Sequence, residues 1–161
     1  MKKIFGLIFL GLVTLASANS FEVTPTFGGI APENSDFKNK ATYGARIGYN
    51  VDYIINQVEL GYDRAENFYK EKDSNILYLN VTKDIYNFTD NFKIYGLTGV
   101  GLIDFKGTDT QIKDSGFWQY GLGLKYNITE NFNIKTEARD MLAFDYGDHF
   151  FAYSLGFGLE F

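Results

Sequence analysis

The sequence has no cysteine, two prolines and one histidine among its 161 residues. Without cysteine there is no disulfide framework, thiolate zinc site or thiol nucleophile. A lone histidine, His149, cannot assemble an imidazole metal centre, and neither a metal nor a cofactor is expected. With so few prolines, little interrupts a backbone ladder. Positive charge is scarce as well: 15 basic side chains face 20 acidic ones. Nucleic acid wants a basic face, so no nucleic-acid partner is expected. Beyond the first 18 residues no run of about 20 apolar residues occurs, which excludes a membrane-spanning helix.

Those first residues read as an address rather than as fold. Lys2 and Lys3 form a basic start, Ile4 to Leu15 an apolar stretch, and Ala16-Ser17-Ala18 a small-residue cleavage site ending in Ala18. Removing 18 of the 161 residues leaves 143 in one domain, residues 19–161. Losing Lys2 and Lys3 takes the 15 bases to 13 against 20 acids, a net charge of −7.

Aromatic residues and glycine are abundant: 16 Phe, 12 Tyr and 17 Gly. With so little proline, this composition favours many strands. Apolar residues alternate with small or polar ones from Phe21 to the end. The ending is clearest, with Phe151, Tyr153, Leu155, Phe157, Leu159 and Phe161 on one face. Between them lie Ala152, Ser154, Gly156, Gly158 and Glu160, and a helix would scatter both sets around its circumference. Seven earlier segments read similarly, at about Phe21–Ile30, Ala41–Val51, Asn56–Asp63, Asn75–Lys83, Phe92–Ile103, Phe117–Tyr126 and Phe132–Asp140. Pro25 implies a local bulge in the first. The phase of the fifth comes from a repeat: Tyr86 to Ile94 matches Tyr126 to Ile134, which turns Val100 and Leu102 outward and Tyr95, Gly99 and Gly101 inward. Short Asn/Asp/Thr turns alternate with longer polar connections at about Ala31–Lys40, Arg64–Ser74, Asp104–Ser115 and Met141–His149. The last of these is unusually apolar, which fits either extended strands or an adhesive tip.

The polar face carries most of the glycines together with Arg46, Glu59, Lys125, Lys135, Glu137 and Arg139. The lumen of an eight-stranded barrel is just wide enough to be filled by side chains. Glycines would make room there for long charged groups, and buried charges need partners. Arg46 and Glu59 lie symmetrically about the turn near Asp52 and are expected to meet. The counted lumen set is Arg46, Lys93, Lys125, Lys135 and Arg139 against Glu22, Glu59, Glu137 and Glu160. Tyr43, Tyr49, Tyr62, Trp118, Tyr126, Tyr153 and Phe161 fall near segment ends on the apolar face, as in membrane interface belts. The fold class is therefore all-β: an eight-stranded antiparallel up-and-down transmembrane β-barrel behind a signal peptide. In that fold apolar groups face lipid and polar groups face the lumen; a soluble barrel would reverse them.

The chain resembles the OmpA-like family of small outer-membrane β-barrels, in its standalone form. The ending Tyr153-Ser154-Leu155-Gly156-Phe157-Gly158-Leu159-Glu160-Phe161 is similar to the terminal signal read by the barrel-assembly machinery. Ile134-Lys135-Thr136-Glu137-Ala138-Arg139 is similar to the family's seventh strand, with its inward Glu and Arg. The resemblance implies a bacterial outer-membrane location, contact with outer-membrane lipid and lipopolysaccharide, and loops open to an extracellular ligand. The peptidoglycan-binding domain of some members is not expected. Four functions compete: a structural or surface-interaction barrel with a plugged lumen and no catalysis, a narrow channel, a lipid-modifying enzyme, and a soluble ligand-binding barrel of the periplasm. The His-x-Ser arrangement of lipid A deacylase barrels is missing, since Phe151 stands two residues after His149.

Overall fold

The structure is a computed structural model that describes residues 20–33, 39–51, 54–69, 72–105, 114–145 and 147–161. Ala16 and Ala18 lie outside the described residues. Eight strands follow one another: β1 (Phe21–Pro32), β2 (Lys40–Asn50), β3 (Gln57–Tyr69), β4 (Lys72–Asn87), β5 (Phe92–Phe105), β6 (Ser115–Asn127), β7 (Phe132–Ala143) and β8 (His149–Glu160). Each pairs antiparallel with its sequence neighbour, and β8 pairs with β1 to close a barrel. Lipid offers no hydrogen bonds to a free sheet edge, so closure is what lets a sheet cross a membrane.

The alternation has a steric cause, because successive side chains in a strand point to opposite faces. On β8, Phe151, Tyr153, Leu155, Phe157 and Leu159 are exposed outside, whereas Phe150, Ala152, Ser154, Gly156 and Gly158 are buried. β5 keeps the phase read from the repeat, with Val100 and Leu102 exposed and Tyr95 buried. The repeated sequence forms the same turn twice. Thr89 Oγ1 accepts from Asn91 and Phe92 N–H, and Thr129 Oγ1 from Asn131 and Phe132 N–H. In both copies a Thr hydroxyl takes over donors that the ladder leaves free.

Three local expectations are corrected. Pro25 causes no bulge: it stays in register with Ala45, and the partners to β8 keep their spacing on either side of it. Its missing N–H is confined to the β8 side, where Thr24 and Pro25 have no ladder partner. The connection placed at Arg64–Ser74 is mostly strand, since β3 runs to Tyr69 and β4 starts at Lys72. Polar cross-strand pairs sustain it: Arg64 with Asp73, Tyr62 with Asn75, and Tyr43 with Glu66. Asn67, with φ 53°, marks the irregularity between Ala65 and Tyr69. Tyr49 is buried rather than lipid-exposed, with its ring 5.1 Å from Phe21. Of the apolar residues of the last outer connection, Met141, Leu142, Phe150 and Phe151 lie in strands and Phe144 in the turn between them, while Tyr146 lies outside the described residues. Met141 and Phe150 point inside, while Phe144 and Phe151 point outside.

Candidate functional site: a charged lumen inside a lipid-facing wall

The wall determines what the lumen can hold. Gly61 pairs directly with Tyr78, Gly123 with Tyr95, and Gly101 with Phe117. A Cβ at any of these glycines would strike the paired ring. Their bare backbones let three aromatic rings lie against the inner wall and leave the axis for charged groups.

The charges meet across that axis. Arg46 on β2 reaches Glu137 on the far wall at 2.5 Å, donates from Nε to the Tyr78 hydroxyl at 2.9 Å, and from Nη2 to Ser154 Oγ at 2.8 Å. Glu59, its expected partner, stands 4.0 Å away because the register sets Arg46 opposite Gly61. Glu59 instead receives Lys135 at 3.0 Å, and the same ammonium contacts Glu22 at 2.5 Å and Gln57 at 2.8 Å. Arg139 donates to Asp63 at 3.1 Å and lies 4.8 Å over the Tyr78 ring. Tyr95 donates to Glu137 at 2.7 Å, and Tyr78 to Asp63 at 3.0 Å. Lys125 joins from the periplasmic side, 3.0 Å from Glu22.

Arg46, Lys125, Lys135 and Arg139 thus face Glu22, Glu59, Asp63 and Glu137, a set with no net charge. Two members of the sequence count stand apart from it. Lys93 pairs with Asp84 at 3.3 Å, and Glu160 accepts from Ser20 and Asn50, both at the periplasmic rim. Asp63 takes their place in the network. It shares the parity of Glu59 and Gly61, the signal that could have located it.

A second layer had no counterpart in the sequence reading. Toward the outer end the lumen is apolar, filled by Ile30, Phe68, Ile103, Phe117, Met141 and Phe150, each buried. The Phe68 and Phe150 rings meet edge-on at 5.6 Å. Toward the periplasm the lumen widens into a polar vestibule of about 400 Å³, floored by Tyr95 and Lys135.

Outside, the wall is apolar. Aromatic rings gather at its periplasmic end, where Tyr86, Phe88, Phe92 and Tyr126 form a contact chain. At the other end Trp118 and Tyr120 are 5.0 Å apart. His149 sits on the outer face, 2.8 Å from Asp140, which also accepts from Tyr120 at 2.7 Å. Ser154 lies in the lumen beneath Arg46. The wall therefore separates the histidine from the nearest serine of β8.

Closed antiparallel strands, apolar outside and ionic within, define a transmembrane β-barrel. The chain belongs to the family described as the outer membrane protein beta-barrel domain, which it matches over residues 5–161. It is a protein of the bacterial outer membrane. No curated protein matches the sequence significantly. Its fold is shared with solved barrels of low identity. The N-terminal β-barrel domain of Pseudomonas aeruginosa OprF is 21% identical, with a TM-score of 0.60 over 88% of this chain and 98% of that one. Neisserial surface protein A is 15% identical, with a TM-score of 0.63 over 89% and 97%. Ail, the attachment invasion locus protein of Yersinia pestis, solved with the heparin analogue sucrose octasulfate, is 17% identical, with a TM-score of 0.58 over 89% and 99%.

Proposed function

We propose that this barrel is a structural or surface-interaction protein of the outer membrane, with a plugged lumen and no catalytic role. One observation carries the reading: a neutral ionic layer and an apolar layer are stacked along the same axis. An ion crossing the first would have to break charge pairs, and crossing the second would strip its water. What remains for contact with other molecules is the outer end, where β3 and β4 carry a polar hairpin. Outer-membrane lipid and lipopolysaccharide surround the wall, and an extracellular ligand would be met by the outer connections. The complex of Ail with a heparin analogue shows one such barrel holding a polyanion. That ligand belongs to Ail, and at 17% identity the likeness carries the fold and not the ligand chemistry.

Planar-bilayer recording of the refolded protein tests the plug. Absent or brief, low conductance is expected for wild type, and a large stable conductance overturns the reading. The narrow-channel alternative draws on the polar vestibule and predicts that Glu59→Ala alone changes an existing conductance. Catalysis is tested with lipid substrates: turnover that disappears in His149→Ala would refute a non-enzymatic role. During biogenesis, signal peptidase is proposed to cut after Ala18, reading Ala16 and Ala18. The barrel-assembly machinery is proposed to read Tyr153, Leu155, Phe157, Leu159 and Phe161, all exposed on the outer face of the chain end. The mass of the mature protein checks the cut, with an N-terminus at Asn19 expected.

A further inference from the structure

The lipid-facing wall is not uniformly filled. A groove of about 780 Å³ crosses its outer surface from the β2–β3 turn to β7. Ile54, Val81 and Ile85 form one side, Leu122 rises from its middle, Tyr120 lines it beside Asp140, and Gly96 and Ala138 form its floor. The floor exists because two small residues flank a large one in a single row: Gly96 pairs with Leu122, and Leu122 with Ala138. The β4 ladder slips between Asp84 and Tyr86, which makes Ile85 the extra residue. A Cβ at Gly96 would come 3.1 Å from Ile85 Cδ1, so Ile85 edges the recess that the glycine leaves.

Lys83 lines the periplasmic end of this groove. Thr82 pairs with Gln57, the first residue of β3, so Lys83 stands level with the β2–β3 turn, where headgroups lie. Lys93 and Lys125 at the same rim engage Asp84 and Glu22, whereas Lys83 is exposed and has no ion pair among the described residues. The outer end of the groove is marked instead by Asp140, a carboxylate.

We propose that this groove seats one phospholipid of the periplasmic leaflet, with an acyl chain over Gly96 and Ala138 and the phosphate held by Lys83. Such a lipid supplies both complements at once, an apolar chain for the floor and an anion for the rim. A lipid of the outer leaflet would bring its phosphates to the Asp140 end, where like charges repel. A second copy of the barrel would bury Lys83 without an anion, which is costly.

Native mass spectrometry of the refolded full-length barrel, with palmitoyl-oleoyl-phosphatidylglycerol added to the micelles, tests the site. One tightly retained lipid per barrel is expected. Lys83→Gln should weaken retention about fivefold, the factor one lysine contributes toward anionic lipid. Gly96→Leu should abolish retention by filling the floor, and Ala138→Leu provides the same test from β7 if that variant fails to fold. Leu60→Ala, elsewhere on the wall, should retain the lipid as wild type does. Heat-modifiable migration verifies each fold. Three outcomes overturn the proposal: wild-type retention by Lys83→Gln or a floor variant, equal retention of phosphate-free diacylglycerol, or barrel dimers in place of the lipid adduct.

Discussion

Removing Arg46 and Glu137 together should damage the barrel less than the sum of their two separate removals. Arg46 is buried and makes three direct contacts, to Glu137, Tyr78 and Ser154. Arg46→Leu leaves Glu137 with the Tyr95 hydroxyl and with Arg139, whose Nε is 3.8 Å away. Breaking a buried pair by deleting one member costs about 3–5 kcal/mol. The two surviving neighbours of Glu137 place this case near the lower end, about 3 kcal/mol. The single variant also leaves three bases against four acids, and adding Glu137→Leu restores the balance. Coupling between contacting residues in one network runs to about 0.5–3 kcal/mol, and about 2 kcal/mol is expected here. Urea unfolding in lipid vesicles, followed by emission from Trp118, the single tryptophan, measures all four corners of the cycle. If the double variant loses the sum of the two single losses, the lumen groups do not act as a pair and the reasoning fails.

Gly123→Val should displace the Tyr95 ring from the wall and cost about 1–3 kcal/mol, the range for overpacking; unchanged urea stability would count against the ring cradle. Phe117→Ala should cost about 3–5 kcal/mol. Combined with Phe150→Ala it should raise conductance in planar bilayers, because the apolar layer thins, and silent recordings from the folded double variant would show that the ionic layer seals alone. Phe161→Ala removes the exposed terminal aromatic and should slow membrane insertion, read as reduced heat-modifiable migration; wild-type yield would contradict an assembly role.

The barrel was legible because lipid outside and charge inside impose a period of two, and β8 shows it without interruption. Strand ends were less legible. Beyond the apolar band the pairing continues on polar residues, so Arg64, Glu66 and Asp73 read as loop although they bridge strands. In the lumen, parity puts Arg46 and Glu137 on the inner face but does not say that they meet. That contact joins β2 to β7 and exists only after closure. The apolar layer escaped notice because Phe117 and Phe150 occupy inward positions beside outward Trp118 and Phe151, which blurs the alternation. Two adjacent aromatic residues at the outer end of a strand are the trace that such a layer leaves.

The inside-out arrangement is tested most directly by nitroxide labels in the cysteine-free chain, reconstituted in phospholipid vesicles. A label at Phe157→Cys should relax with oxygen dissolved in lipid and be shielded from a water-soluble nickel chelate. A label at Gln57→Cys, in the vestibule, should show the opposite. Nickel access at residue 157 together with oxygen access at residue 57 would mean that the greasy face points inward, and the account would be wrong.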